Sequence, residues 1–296
     1  MAAARRIAIV SALHEELHAL QAVATIDRVE RRAGRDIHLG RLDGHEVALV
    51  LSGVGKVAAA TTAAVLLDGC AVDALLFTGV AGGLAAGVKV GDMVVATQTL
   101  QHDLDASPLF PRWEVPLTGR SRFDADPGWR QALLQGCSAL QQAMARGQGG
   151  GASLASARQR LGLSALGAQA HQGLVISGDR FVATQAESET LRQLLPDALA
   201  VEMEGAALAQ VCADFAHRPY ALLRTISDRA DDSAHVDFGR FIVELAATMS
   251  REIVRGALAH SPQPAPQPAP QPAPQSAPQS ASAPAPQPAP PPGRPS

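Results

Sequence analysis

Aromatic side chains are scarce in this chain: one tyrosine, two tryptophans and seven phenylalanines in 296 residues. Hydrophobic residues still make up 47%, so a large core is within reach, but it must be built mostly from Ala, Leu and Val. Cysteine is equally sparse. Cys70, Cys137 and Cys212 are widely spaced and form no C-x-x-C pair, which fits small buried hydrophobes in a reducing compartment. Charge imbalance is missing too. A formal net charge of −3 gives no electrostatic reason to expect nucleic acid or an anionic membrane as partner. The longest apolar stretches, such as residues 71–87, are interrupted by Gly, Asp and Thr, and none reads as a membrane span. Arg5-Arg6 leads directly into a strand-like run at 7–10, with no signal-peptide hydrophobic region or small-residue cleavage site. These absences predict a cytoplasmic protein.

Proline is unevenly placed. Fifteen of the 21 prolines fall in residues 261–296, a Pro-Ala-Gln-Ser repeat without Val, Ile, Leu or aromatic residues. Such a segment has too little apolar bulk to offset the entropy of ordering, so a disordered tail that leans toward polyproline II is expected. A second soft segment, about 145–170, is rich in Gly, Ala, Ser and Gln. It reads as a flexible surface insertion, with part of 154–161 helical. The remainder alternates strands (7–10, 47–52, 74–78, 93–100, 174–177, 199–201, 220–227) with helices (from 15, 56–67, 129–142, 186–195, 205–215, 238–258). Asp43-Gly44 marks a hairpin turn between two short strands. Apolar strands alternating with helices predict one α/β domain over about 1–260, with a central mixed sheet flanked by helices.

The chemistry-bearing residues gather at the predicted carboxyl ends of those strands, where open α/β sheets bind ligands. They are His14-Glu15-Glu16, Gly53-Val54-Gly55, Gly79 to Gly83, Gly178-Asp179-Arg180-Phe181, Glu202-Met203-Glu204 and Ser227-Asp228. The most informative is Ala200-Val-Glu-Met-Glu-Gly205, where two carboxylates meet a strand-to-helix junction. Glu204 falls in the first helical turn, where the macrodipole favours its ionised form, and a carboxylate suits a pair of vicinal hydroxyls. Met203 offers a soft apolar surface for a sugar or base. A solvated capping glutamate beside a core methionine remains an alternative. Gly53-Val-Gly-Lys-Val-Ala58 matches the dinucleotide pattern G-x-G-x-x-G/A, with Asp73 near the expected acidic spacing, so a nicotinamide oxidoreductase competes. Gly79 to Gly83 reads as a tight turn or as a place where a ligand approaches the backbone. His102-Asp-x-Asp105 and His235-x-Asp237 raise metal binding, but they lack a compact ligand set. Asp228 ends an apolar strand that also carries Arg224. Desolvation would hold its carboxyl protonated, an arginine would hold it ionised, and a loop or capping aspartate is the plain alternative.

Together these segments resemble the nucleoside phosphorylase/hydrolase superfamily, and within it the 5′-methylthioadenosine/S-adenosylhomocysteine nucleosidases. The landmarks are Ile9-Val-Ser-Ala-Leu-His-Glu-Glu16, Ser52-Gly-Val-Gly-Lys-Val-Ala-Ala59, Thr78-Gly-Val-Ala-Gly-Gly-Leu84, Val88-Lys-Val-Gly-Asp-Met-Val-Val95, Ser177-Gly-Asp-Arg-Phe181, Val201-Glu-Met-Glu-Gly205 and Ser227-Asp228. They occur in the family's order over about 6–258. The resemblance implies hydrolysis of the N-glycosidic bond of methylthioadenosine or adenosylhomocysteine, with release of adenine and without cofactor or metal. Futalosine hydrolase and other purine nucleosidases or phosphorylases are similar rivals. In the implied assignment Glu16 is the general base toward water, Asp228 the general acid toward adenine N7, and Glu204 holds the 2′ and 3′ hydroxyls. Met203 packs on ribose, Phe181 stacks on adenine and the Val182 backbone meets the base edge. Arg224 and Ser227 orient Asp228 and the water, Glu202 belongs to the binding set, and Val54 and Phe238 line the 5′ pocket. Phosphorylases of the superfamily commonly carry an arginine where Phe77 stands, so water is the implied nucleophile. A homodimer is implied, with Asp103 to Pro116 near its interface. Ser11, Leu13 and Val80 depart from the residues common in relatives.

Overall fold

A computed structural model describes residues 6–164, 168–230 and 238–262, with the side chain of Phe238 outside that set. The tail expectation for 263–296 and the His235-x-Asp237 pair therefore lie outside the described residues. In chain order the elements are β1 (Arg6–Ser11), α1 (His14–Gln21), β2 (Thr25–Arg32), β3 (Arg35–Leu42), β4 (His45–Leu51), α2 (Lys56–Gly69), β5 (Val72–Gly83), β6 (Met93–Gln101) and β7 (Arg122–Asp124). There follow α3 (Pro127–Arg146), α4 (Gly150–Arg160), β8 (Ala170–Ser177), α5 (Gln185–Leu194), β9 (Ala198–Glu202), α6 (Gly205–Asp214) and β10 (Tyr220–Asp228). A final helical run comprises α7 (Phe238–Phe241), a π-helical stretch (Ile242–Ala246) and α8 (Ala247–Leu258).

One mixed sheet unites all ten strands, with the path β10-β6-β8-β9-β5-β1-β4-β3-β2 and β7 paired to β6. An additional pairing of β10 with β5 closes five of the strands into a barrel, a closure that periodicity alone does not reveal. Strand β5 is the hub. It pairs in parallel with β1 and β10 along most of its length, and its last residues, Gly82 and Gly83, pair antiparallel with β9. Strands β1, β4, β5 and β10 are mutually parallel through β1 and β5, so their carboxyl ends emerge on one side. Their near-continuous apolar sequences are buried on both faces, as a parallel sheet covered by helices requires.

Two expectations need correction. The Gly/Ala/Ser-rich segment is not a surface insertion: it forms α4, with Leu154 and Ala157 in the core and Arg158 fully buried. The helical part expected within 154–161 is present, but its low hydrophobicity hid its burial: small residues let it lie close to α3, where Gly151 sits against the Ala143 backbone. The run Gly79 to Gly83 is not a turn. It continues β5, and none of these glycines has a positive φ. A Cβ at Gly79 would lie 2.7 Å from Arg224 Nη1, and one at Gly82 would lie 3.0 Å from Asp228 Oδ1. The glycines therefore make room for the protein's own side chains. Strand β2 was not foreseen. Its charged, exposed sequence lacks the alternation of a half-buried strand, and it is held by antiparallel pairing to β3 and by ion pairs of Glu30 with Arg28 and Arg32. The expected turn at Asp43-Gly44 is present, with φ of 48° and 87°.

Candidate active site

At the carboxyl ends of the strands lies a mostly apolar cavity of about 200 Å³. Met203, Glu204, Phe181, Val182, Ser227 and Asp228 line it, as do Val54, Glu202 and Arg224. Nine of the predicted site residues thus converge on one cavity although they span 174 positions of sequence, from 54 to 228. Leu13 and Val80 also line it. Phe238 opens α7, but its side chain lies outside the described residues. Glu16 is not among the lining residues: in the first turn of α1 it is fully buried, and its carboxylate feels the charges of the lining residues Arg224 and Glu204.

The polar part of the site is organised around Arg224, which is fully buried on β10. Its guanidinium lies over the Phe77 ring at 4.3 Å and pairs with Glu202 through Nη2 and, at 3.1 Å, through Nε. Glu202 is otherwise saturated. It accepts from the Ser177 hydroxyl, from the Gly205 amide at 2.9 Å and from the Glu204 amide at 3.2 Å. The hydroxyl of Ser177 in turn accepts from the Ala206 amide at 2.8 Å. Glu202 therefore caps the start of α6 and anchors Arg224 while also lining the cavity. The Arg224 guanidinium serves Glu202 and lies 3.7 Å from Glu204.

Glu204 occupies the N-cap position of α6, and its Oε1 accepts from the Gly55 amide at 2.8 Å. The macrodipole does not dominate its ionisation. Burial, with the Glu202 charge next, raises its pKa to about 7 against the opposing pull of Arg224. Glu16 is also raised to about 7, first by burial, opposed by Arg224 and reinforced by Glu204 and Glu15. Both its carboxylate oxygens lack a hydrogen-bond partner among the described residues. Asp228, the last residue of β10, accepts from the Ser227 hydroxyl at 2.7 Å and from the Ala230 amide at 2.7 Å.

The glycine pattern at 53–58 is used by carboxylates of the protein itself. The Gly55 amide serves Glu204, and the Lys56 amide donates to Asp179 Oδ1 at 2.7 Å. These are the donors a dinucleotide pyrophosphate would take. Asp73 is the second residue of β5, at the opposite end of the sheet from that loop, and pairs with Arg218 at 3.6 Å. The dinucleotide reading has no site here. No group of three or more metal-ligating side chains is present among the described residues. His102 lies with its ring against Gly178, and Asp103 bonds Lys56 Nζ at 2.5 Å. Asp103 also accepts from the Asp179 amide at 2.8 Å, which ties together three loops around the cavity mouth. This clamp was not legible in the sequence, since 123 positions separate Lys56 from Asp179 and no spacing marks them.

Comparison with known proteins places residues 6–259 in the family described as the phosphorylase superfamily. Among solved structures, the chain is similar to a 5′-methylthioadenosine/S-adenosylhomocysteine nucleosidase from Colwellia psychrerythraea 34H in complex with adenine. That match has 30% identity and a TM-score of 0.74, covering 87% of this chain and 96% of the other. A nucleosidase of the same description from Neisseria meningitidis, bound to methylthio-immucillin-A, matches at 31% identity and a TM-score of 0.72, covering 86% and 98%. The futalosine hydrolase of Helicobacter pylori strain 26695 matches at 27% identity and a TM-score of 0.68, covering 86% and 97%.

Proposed function

The chain belongs to the phosphorylase superfamily, and we propose that it hydrolyses the N-glycosidic bond of 5′-methylthioadenosine, S-adenosylhomocysteine or both, releasing adenine and the 5′-thioribose product. The observation that carries the reading is the convergence of Glu204, Asp228, Phe181 and Val182 on one apolar cavity, in a chain about 30% identical to nucleosidases of this description. Water is the nucleophile. Arginines that line the cavity are already paired, Arg224 with Glu202 and Arg180 with Glu187, and Phe77 lies beneath Arg224. The buried cation of the cavity, Arg224, is thereby committed to Glu202 rather than open to phosphate.

In the proposed mechanism adenine stacks on Phe181, with the Val182 backbone at the base edge and Met203 under the ribose. Asp228, held by the Ser227 hydroxyl and the Ala230 amide, donates its proton to adenine N7. The base leaves as a neutral purine, and positive charge grows on the ribosyl centre. Glu204 holds the 2′ and 3′ hydroxyls, and its negative charge stabilises that cation where water is excluded. Glu16 takes a proton from the attacking water. A carboxylate with a pKa near 7 is a far stronger base than an ordinary glutamate and is still about half ionised at neutrality. The microscopic balance is simple: the C–N bond breaks, the C–O bond forms, and the water proton passes to Glu16 while Asp228 supplies N7.

A homodimer fits this reading. Val54, Val57 and Leu109 leave large apolar side chains exposed, and the Lys56–Asp103 pair brings their two segments together at the cavity mouth, where Asp103 to Pro116 would meet the partner. The three free, buried cysteines support a cytoplasmic setting. No helix among the described residues is long and apolar enough to cross a membrane. Incubation with methylthioadenosine, with and without phosphate, tests the whole reading. Free adenine and free methylthioribose in both arms are expected. Formation of a sugar 1-phosphate that requires phosphate would replace hydrolysis by phosphorolysis. Futalosine in the same assay separates the rival hydrolase.

A further inference from the structure

Helix α4 carries a buried cation that nothing in the cavity uses. Arg158 is 2% exposed, and no carboxylate pairs with it among the described residues. Buried Asp92, on the turn that Arg158 touches, supplies an opposing charge at longer range, and burying the guanidinium is costly unless its donors are engaged as well. They go to two backbone carbonyls: Nε donates to Ser164 O and Nη1 to Gly91 O, each at 2.8 Å. Gly91 is shaped to this contact. Its φ is +83°, and a Cβ there would stand 2.5 Å from Arg158 Nη1.

The turn that Arg158 grips touches the strand of the proposed acid. β6 pairs with β10 only at residues 223–225 of the latter. Beyond Thr225 that flank of β10 is continued by the turn. The Gly91 amide donates to Ile226 O at 2.7 Å, and the Ile226 amide donates to Asp92 O at 2.9 Å. Immediately afterwards the register of β10 against β5 shifts, between Ile226 and Asp228. A bulge of this kind re-aims the side chain that follows it. Asp92 stiffens the same turn, its carboxylate accepting from the Lys89 and Gln169 amides and bonding His171 Nε2.

We propose that Arg158 is a positioning residue for Asp228, acting through the Gly91-Asp92 turn that fixes where the β10 bulge begins. The inference rests on the reading of Asp228 as general acid. Misplacement of a reacting group by a fraction of an ångström is enough to slow chemistry without loss of binding. In Arg158→Met the turn loses its grip while the stem volume is kept. The expected result is a fall in kcat of about tenfold, with KM within about twofold of the parent. Arg158→Lys, which can serve one carbonyl at a time, recovers part of the loss. In an Asp228→Asn background Arg158→Met changes kcat by less than about twofold, because the group it positions can no longer deliver a proton. If Arg158→Met does not fold, Arg158→Lys with and without Asp228→Asn carries the same comparison. A parental kcat in the folded Arg158 variants overturns the inference. So does an equal fold-loss in the parent and the Asp228→Asn backgrounds, which marks a merely structural arginine. A parental kcat in Asp228→Asn alone refutes the acid assignment itself, and the single variant reveals this before any double variant is made.

Discussion

Replacing Glu16 by glutamine is expected to stabilise the protein while disabling it, and the size of the gain follows from the site. The Glu16 pKa is raised from 4.5 to about 7 in the folded chain, mainly by burial. Between those values the folded state retains a proton that the unfolded state has released. Stability therefore falls as pH rises from about 4.5 through 7, and the loss is complete above 7. At about 1.4 kcal/mol per unit, ionised Glu16 costs the fold about 3 kcal/mol at pH 8 and nothing at pH 4.5. Glutamine occupies the same volume and never ionises. Glu16→Gln should then be more stable than the parent by about 3 kcal/mol at pH 8, a rise in Tm of roughly 6–12 °C for a domain of this size. The gain should shrink toward zero near pH 4.5. Urea and thermal denaturation of both proteins at the two pH values, beside kcat, make the measurement. A Glu16→Gln variant no more stable than the parent at pH 8, or equally stabilised at both pH values, would falsify the assignment of a buried, high-pKa carboxylate to position 16.

The remaining expectations concern the other groups of the site. Glu16→Gln and Asp228→Asn should each lower kcat by about 10²–10⁴-fold, the usual cost of losing a general base or acid, and near-parental turnover in both folded variants would remove the mechanism. Log kcat/KM should rise with pH and level off above about 7 as Glu16 and Glu204 ionise, and a flat profile between pH 5 and 8 would show that neither must be charged. Glu204→Gln should reduce kcat as well as raise KM, because the charge it supplies matters most in the transition state; an effect on KM alone would leave it a simple hydroxyl binder. Arg224→Met should lower unfolding stability by about 3–5 kcal/mol in urea titrations, since it leaves Glu202 buried without its cation, and a loss below 1 kcal/mol would mean the pair is solvated. Deleting residues 263–296, which contain no Val, Ile, Leu or aromatic residue, should leave kcat/KM and Tm unchanged; a truncated protein that melts several degrees lower would show that the tail docks on the core.

What the sequence made legible was whatever local chemistry reports. Apolar runs in β1, β4, β5 and β10 announced a buried parallel sheet, and polar residues immediately after them announced the side on which a ligand would sit. The closure of β10 onto β5 was invisible, because it depends on pairing between residues more than 140 positions apart that carry no mutual signature. The same holds for the partners of the site carboxylates. Glu202 and Glu204 are two residues apart and both line the cavity, yet Glu202 is saturated by Arg224, Ser177 and two backbone amides, while Glu204 accepts from the Gly55 amide. Composition misled at α4, where a low apolar content concealed not the helix but its close packing through small residues.

The electrostatics of the cavity follow from an unequal count. Beside Asp228, the proposed acid, three further buried acidic side chains, Glu16, Glu202 and Glu204, share one buried arginine, Arg224. Glu202 takes most of that cation for itself, through two of its nitrogens. Burial, joined by the Glu202 charge at Glu204 and by the Glu204 charge at Glu16, outweighs the pull of Arg224, and both groups titrate near neutrality rather than in the ordinary carboxylate range. An enclosure that holds surplus negative charge at such a cost binds a neutral nucleoside without relieving the strain. It gains most when positive charge appears beside Glu204, as it does when the glycosidic bond lengthens. Stabilisation of this kind is absent from the ground state and present in the transition state, which is the condition for it to appear in kcat. The instability of the empty site and the rate of the filled one are on this argument two readings of the same buried charge, so variants that raise stability at pH 8 by neutralising Glu16 or Glu204 should be the variants that lose turnover.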